Sequence, residues 1–133
     1  VSWALDCRFA GYDWEWVKVL GGYLWGGKHA PAARFNAGQK GYFWAVGLLG
    51  LTVLLTGLGR AVPIFDATGQ EWLYQLHRYS ALLLMLAGMV HIYLGTLANP
   101  GTFLAMVLGK VFPAWAAHHH PLWWRKLQGG EGD

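Results

Sequence analysis

The apolar residues of this chain are gathered into two long runs. From Gly41 to Gly59, nineteen residues carry no charge (GYFWAVGLLGLTVLLTGLG), with Lys40 before them and Arg60 after. At 1.5 Å per residue a helix of that length spans roughly 28 Å, close to the thickness of a hydrocarbon core. Tyr42, Phe43 and Trp44 form an aromatic belt at its first end. The alternative is a buried helix of a large soluble protein, but a 133-residue chain has no core big enough for it. In the second run no Lys, Arg, Asp or Glu occurs between Arg78 and Lys110, and Asn99-Pro100-Gly101 divides it. The pattern predicts an all-α integral membrane protein with two transmembrane helices, 41–60 and 72–98, joined by an outer loop at 61–71.

The flanks are mixed in character. Residues 1–40 read as a connection in which Trp14 to Tyr23 suits a short interfacial helix, broken by Gly26, Gly27 and Pro31. In 99–133, Thr102 to Leu108 is too short to span and is expected along the membrane surface. The tail from Trp115 is polar and aromatic, and its Gly-rich end is expected to be partly disordered. The chain begins at Val1 with no signal peptide ahead of it, so its start is expected to be processed, truncated or incompletely observed.

Composition strengthens the membrane reading. The chain is 55% hydrophobic and 13% charged, against roughly 25% charged for a soluble domain. Its nine Trp, six Tyr and six Phe are residues that gather where a bilayer meets water. The net charge of +3 and pI near 9.2 do not indicate nucleic acid, since the basic residues form no stripe and no nucleic-acid-binding motif is present. A single cysteine, Cys7, excludes an internal disulfide, a thiolate-held iron–sulfur cluster and covalent c-type haem attachment. Arg8, Lys18, Lys28, Arg34 and Lys40 precede the first span, and Lys110, Arg125 and Lys126 follow the second. Only Arg60 and Arg78 belong to the connecting side. The positive-inside rule then places both ends in the cytoplasm.

Ionisable residues at membrane depth are costly and are functional candidates by default. There are two, His77 and His91, on the second predicted span. Fourteen residues is close to four helical turns, so they share nearly one face, roughly 21 Å apart along the axis. Neutral imidazole is a good axial ligand for haem iron, and two stacked haems, one near each leaflet, need ligands spaced in about this way. The bland alternative is a histidine that hydrogen-bonds a neighbour and nothing more. Gly88, one turn before His91, and Gly47 and Gly50 on the first span suit a flat macrocycle near the backbone, although glycine also simply lets helices pack closely. Two six-coordinate haems need four histidines. His29 and the His118-His119-His120 run lie outside the membrane, so the other two are expected from helices not in this sequence.

Three segments, taken in order, resemble one family. RFNAGQKGYFW (Arg34 to Trp44), the His77 and His91 pair with HIY at the second, and GKVFPAWAAHHHPLWWRKL (Gly109 to Leu127) are similar to the gamma subunit of respiratory formate dehydrogenase, the membrane cytochrome b of that complex. The resemblance covers roughly residues 13–127 and implies the last two helices of a four-helix cytochrome b bundle. The partner histidines would come from another chain or a missing segment.

The resemblance further implies two b-type haems, with His77 ligating the haem nearer the outer face and His91 the haem nearer the cytoplasm. It places a quinone beside the inner haem, lined by Asn36, Gly38, Gln39 and His91. Asn and Gln can hydrogen-bond a quinone carbonyl, and Gly lets a ring approach the backbone. Asn36 is also a favoured helix cap just before a span, and both roles can coexist. Arg60 and Arg78 are candidates to pair with haem propionates, though arginine at a membrane boundary needs no such reason. The implied partners are an iron–sulfur subunit, a molybdenum or tungsten formate dehydrogenase subunit, and lipid of a bacterial or archaeal cytoplasmic membrane. The histidine-rich tail is expected to pack on a partner subunit or on headgroups. The rival readings are a haem-free anchor for catalytic subunits, a di-haem cytochrome b of a hydrogenase or another molybdoenzyme, and a proton relay through His77 and His91. A relay lacks polar groups between the two, since residues 79–90 offer only Tyr79 and Ser80.

Overall fold

The computed structural model describes residues 3–22, 31–62, 64–99 and 101–129. The expectations for His29, for the breaks at Gly26 and Gly27 and for the Gly-rich end at 130–133 lie outside the described residues. All regular structure among the described residues is helical: α1 (Trp3–Asp6), α2 (Gly11–Lys18), a 3₁₀ turn (Leu20–Gly22), α3 (Ala37–Ala61), α4 (Ala67–Tyr93), a π-helical turn (Leu94–Ala98), α5 (Thr102–Leu108), α6 (Pro113–His119) and α7 (Pro121–Gly129). Two helices are long and apolar enough to cross a membrane, Ala37–Ala61 and Ala67–Ala98.

Both long helices start earlier than the uncharged runs suggest, and caps are the reason. At α3, Asn36 Oδ1 accepts from the Gln39 backbone N–H (2.9 Å), and Gln39 Oε1 accepts from the Asn36 N–H (2.9 Å). This reciprocal box satisfies two orphan donors and draws the polar residues 37–40 into the helix. At α4, Asp66 caps by accepting from the Gly69 N–H at 2.8 Å, so Ala67 to Glu71 extend the helix into what the polar pattern read as loop.

The chain divides into two compact units, Val1–Gly41 with Ala98–Asp133, and Tyr42–Leu97. The second is a helical hairpin. Residues early on α3 meet residues late on α4, and residues late on α3 meet residues early on α4. Tyr42 stacks on His91, Thr56 meets His77, and Gln70 Nε2 donates to the Gly59 carbonyl at 3.2 Å. Gly59 lets the helices close near the turn, since a Cβ there would stand 3.0 Å from Leu73 Cδ1.

The first unit is held by polar contacts. Lys40 Nζ donates to Asp13 Oδ2 at 2.7 Å, and the two side chains are 1% and 4% exposed. The ammonium also reaches Tyr12 Oη at 3.3 Å. Asp13 Oδ2 in turn accepts from the Ala10 N–H at 2.7 Å, so a single carboxylate ties the start of α2 to the first turn of α3. Further along, His120 Nδ1 meets the Ala33 carbonyl at 2.8 Å and the Leu122 N–H donates to the Ala32 carbonyl at 3.1 Å. These bonds seat the junction of α6 and α7 on residues 32–33. Gly101 takes φ +98°, and a Cβ there would come within 2.9 Å of the Trp115 ring, which leaves glycine the only comfortable residue.

Candidate functional site

His77 and His91 both lie on α4 in the hairpin unit, and the structure holds them in different ways. His77 Nδ1 is 3.1 Å from the Val53 carbonyl oxygen and 3.1 Å from Thr56 Oγ1. A carbonyl oxygen can only accept, so Nδ1 carries the hydrogen and Nε2 keeps its lone pair. Among the described residues no group bonds Nε2. Gly57 makes this approach possible, because a Cβ there would lie 3.3 Å from the ring carbon Cε1.

His91 stacks face to face on Tyr42, with ring centroids 4.0 Å apart and planes 3° from parallel. Stacking fixes the ring plane and leaves both nitrogens at the edge. Among the described residues no carbonyl or hydroxyl holds either of them. Three residues past His91 the helix passes into the π-helical turn Leu94–Ala98, a widening often found at functional positions.

These residues fit a haem. His77 offers Nε2 as the metal-binding nitrogen, with the other nitrogen fixed by an acceptor, the arrangement that orients histidine ligands generally. A Cβ built on Gly47, Gly50 or Gly88 meets no heavy atom within 4 Å, so the space beside these three positions is open within the chain.

Asn36, Gly38 and Gln39 fall in the other compact unit from His91. Asn36 and Gln39 use their side-chain oxygens to cap α3, which leaves their amide NH₂ donors uncommitted to the cap. A Cβ on Gly38 would lie 2.8 Å from Trp16 Cη2, so the indole supplies a packing reason for this glycine. Arg60 lies over the Tyr74 ring at 4.8 Å and Arg78 over Tyr79 at 5.6 Å. In the tail, His119 and His120 are both held below the ordinary histidine range, chiefly by burial. For His119 the neighbouring His118 and His120 add to this, and for His120 the Ala33 carbonyl partly opposes it.

Sequence reasoning missed Thr56, Val53 and Gly57. The available signal was a hydroxyl next to a glycine, Thr56 and Gly57, one turn after the span's other threonine, Thr52. It also missed Tyr42 as a partner of His91, having assigned it to the interface belt, and Lys40 as a buried ion, having read it as the charged boundary of a span.

Comparison with known proteins places these residues in context. Residues 3–109 match the family described as prokaryotic cytochrome b561. The cytochrome b556(fdo) subunit of formate dehydrogenase from Escherichia coli is 33% identical over 120 residues, covering 87% of this chain and 56% of that protein. The nitrate-inducible cytochrome b556(Fdn) subunit from the same organism is 32% identical over 128 residues, covering 90% and 57%. A formate dehydrogenase cytochrome b556 subunit from Haemophilus influenzae is 32% identical over 125 residues, covering 86% and 50%. The chain thus spans about half the length of these relatives.

Proposed function

The chain belongs to the prokaryotic cytochrome b561 family, and from that membership we propose that it is the haem b membrane subunit of a formate dehydrogenase complex, carrying electrons from an iron–sulfur subunit to quinone. The observation that carries the reading is His77, whose Nδ1 faces an acceptor-only carbonyl so that Nε2 is the nitrogen presented to a metal. His91, fourteen residues further on the same helix, is the second ligand. Haem b is the cofactor that family membership implies, and when bound it supplies one-electron chemistry that side chains cannot. In this reading there are two haems, one ligated by His77 near the outer face and one by His91 near the cytoplasm. Another chain or segment supplies the two opposite ligands.

The remaining roles belong to this chain's polar residues. The amide groups of Asn36 and Gln39, beside Gly38, donate to a quinone carbonyl and orient it for reduction with protons drawn from the cytoplasmic side. Residues 1–40 and 99–133 lie on that side, 61–71 faces outward, and the spans are 41–60 and 72–98 in a multi-pass arrangement within a bacterial or archaeal cytoplasmic membrane. The partners are an iron–sulfur subunit and a molybdenum or tungsten subunit that oxidises formate. The similarity of 32–33% to formate dehydrogenase cytochrome b556 subunits supports this choice over a hydrogenase or another molybdoenzyme.

The test is a reduced-minus-oxidised visible spectrum with a haem-to-chain ratio on the purified complex, for the natural sequence, His77→Ala and His91→Ala. Two formate-reducible b-type haems are expected, with one lost in each variant. Full haem content in both variants would remove the ligand assignment, and a complex with no haem would leave this chain a membrane anchor.

A further inference from the structure

The two histidines differ in one respect that bears on how they bind iron. His77 Nδ1 sits between two oxygens at 3.1 Å, the Val53 carbonyl and Thr56 Oγ1. The Thr56 hydroxyl has a single hydrogen, and its shortest contact is the Thr52 carbonyl at 2.6 Å, with the Val53 carbonyl at 3.2 Å. Given to Thr52, that hydrogen leaves a hydroxyl lone pair facing His77, so both neighbours of Nδ1 accept. Thr56 is itself only 4% exposed, and its bond to the carbonyl four residues back fixes its rotamer. Gly57 admits the ring, since a Cβ there would already be 3.3 Å from Cε1. The pocket is therefore built by one turn of α3, Val53 to Gly57, and it grips one nitrogen of a residue on α4. His91 has only the face of Tyr42.

We propose that Thr56, with the Val53 carbonyl, is a positioning residue that holds His77 as the Nδ1–H tautomer and strengthens it as an iron ligand. The inference rests on His77 being an axial haem ligand. Acceptors on the distal N–H of a ligating imidazole raise its basicity. A more basic ligand favours the oxidised, more positive iron and lowers the midpoint potential, hydrogen bonding around the ligand being one of the protein's levers on potential. His91 lacks such an acceptor among the described residues, so α3 makes the two ligands unequal. The asymmetry biases electrons from the His77 side toward the His91 side, the direction the proposed function requires.

The experiment is a redox titration of the haem absorption bands in the purified complex, comparing the natural sequence with Thr56→Val, Thr56→Ser and His77→Ala. Thr56→Val removes the oxygen at nearly constant volume, and Thr56→Ser keeps it. His77→Ala identifies the His77-dependent wave by its loss. With Thr56→Val, haem content is expected to stay full while that wave moves to more positive potential and the other stays fixed. Thr56→Ser is expected to restore the original position. Loss of the His77-dependent haem in Thr56→Val but not in Thr56→Ser also supports the proposal, because the oxygen and not the side-chain volume then decides ligation. Unmoved waves with full haem in Thr56→Val overturn it and leave the ligand assignment standing, as does loss of that haem in both Thr56 variants. Retention of both waves in His77→Ala overturns the underlying reading instead.

Discussion

The two compact units bury different kinds of side chain. In Tyr42–Leu97 the helices leave Leu48, Leu54, Leu82 and Leu86 exposed at the chain's own surface, and the long span of α4 buries almost nothing within the chain. The buried groups of that unit are polar ones, Thr56 among them, and Thr56 meets His77. In the other unit the buried side chains are an ion pair, a histidine and short residues: Lys40 with Asp13, and His120, beside Cys7, Ala32, Ala37 and Ala116. The difference follows from solvent. A hairpin whose outside is apolar relies on lipid or neighbouring helices for its apolar contacts, and close packing matters only where a side chain must be aimed. A unit of short helices with so small an apolar interior is fixed by directional pairs, which remain strong when water is excluded from them.

The sharpest break in that comparison is at Lys40. Lys40→Met leaves the Asp13 carboxylate buried without its cation, and Asp13 Oδ1 already has no hydrogen-bond partner. The expected cost is about 3–5 kcal/mol. Chemical unfolding of the purified complex reads it, and combining Lys40→Met with Asp13→Asn should recover much of the loss. A cost no larger than that of an alanine at exposed Leu48 would show that the pair does not hold the unit together.

Gly57→Leu probes the hairpin in the same spirit. The new side chain must occupy the space of the His77 ring, so the haem-to-chain ratio should fall by one while the His91-dependent haem remains. Gly41→Leu, where a Cβ meets nothing within 4 Å, should keep both. If Gly57→Leu also retained both, the close approach of α3 to His77 would have no bearing on ligation.

The smallest effect concerns pH. Burial holds His120 below the ordinary histidine value, so the fold favours its neutral form. An unfolded histidine protonates near pH 6.5. Stability from this site is therefore full above about pH 6.5 and declines as pH falls below it, because the fold disfavours the charge the unfolded chain accepts. Hydrogen-exchange protection of the Leu122 amide, which bonds the Ala32 carbonyl beside this histidine, should drop between pH 7 and pH 5.5. His120→Gln should flatten that dependence, and an unchanged slope in the variant would assign it to another group.

Much of the hairpin was legible in sequence because its signals are local. Nineteen uncharged residues between Lys40 and Arg60 are a length argument, and the His77 to His91 interval is a periodicity argument. Neither depends on which residues meet across the fold. The roles of Asn36 and Gln39 were half legible, since a polar residue three positions before another at a helix start is itself a capping pattern. The Lys40–Asp13 pair was not legible. Its members are 27 positions apart, and either charge alone reads as a solvated boundary residue.

By itself, the sequence determined that the chain is helical and membrane-embedded, and that two imidazoles share a face at four-turn spacing. Hydropathy and helical pitch act along the chain, and no partner is needed to specify them. Only the tertiary structure decided which nitrogen of His77 is held, that Tyr42 covers His91, and that Trp16 lies over Gly38. Those outcomes depend on distances across helices, where a hydrogen bond or a ring contact is made or lost within a few tenths of an ångström.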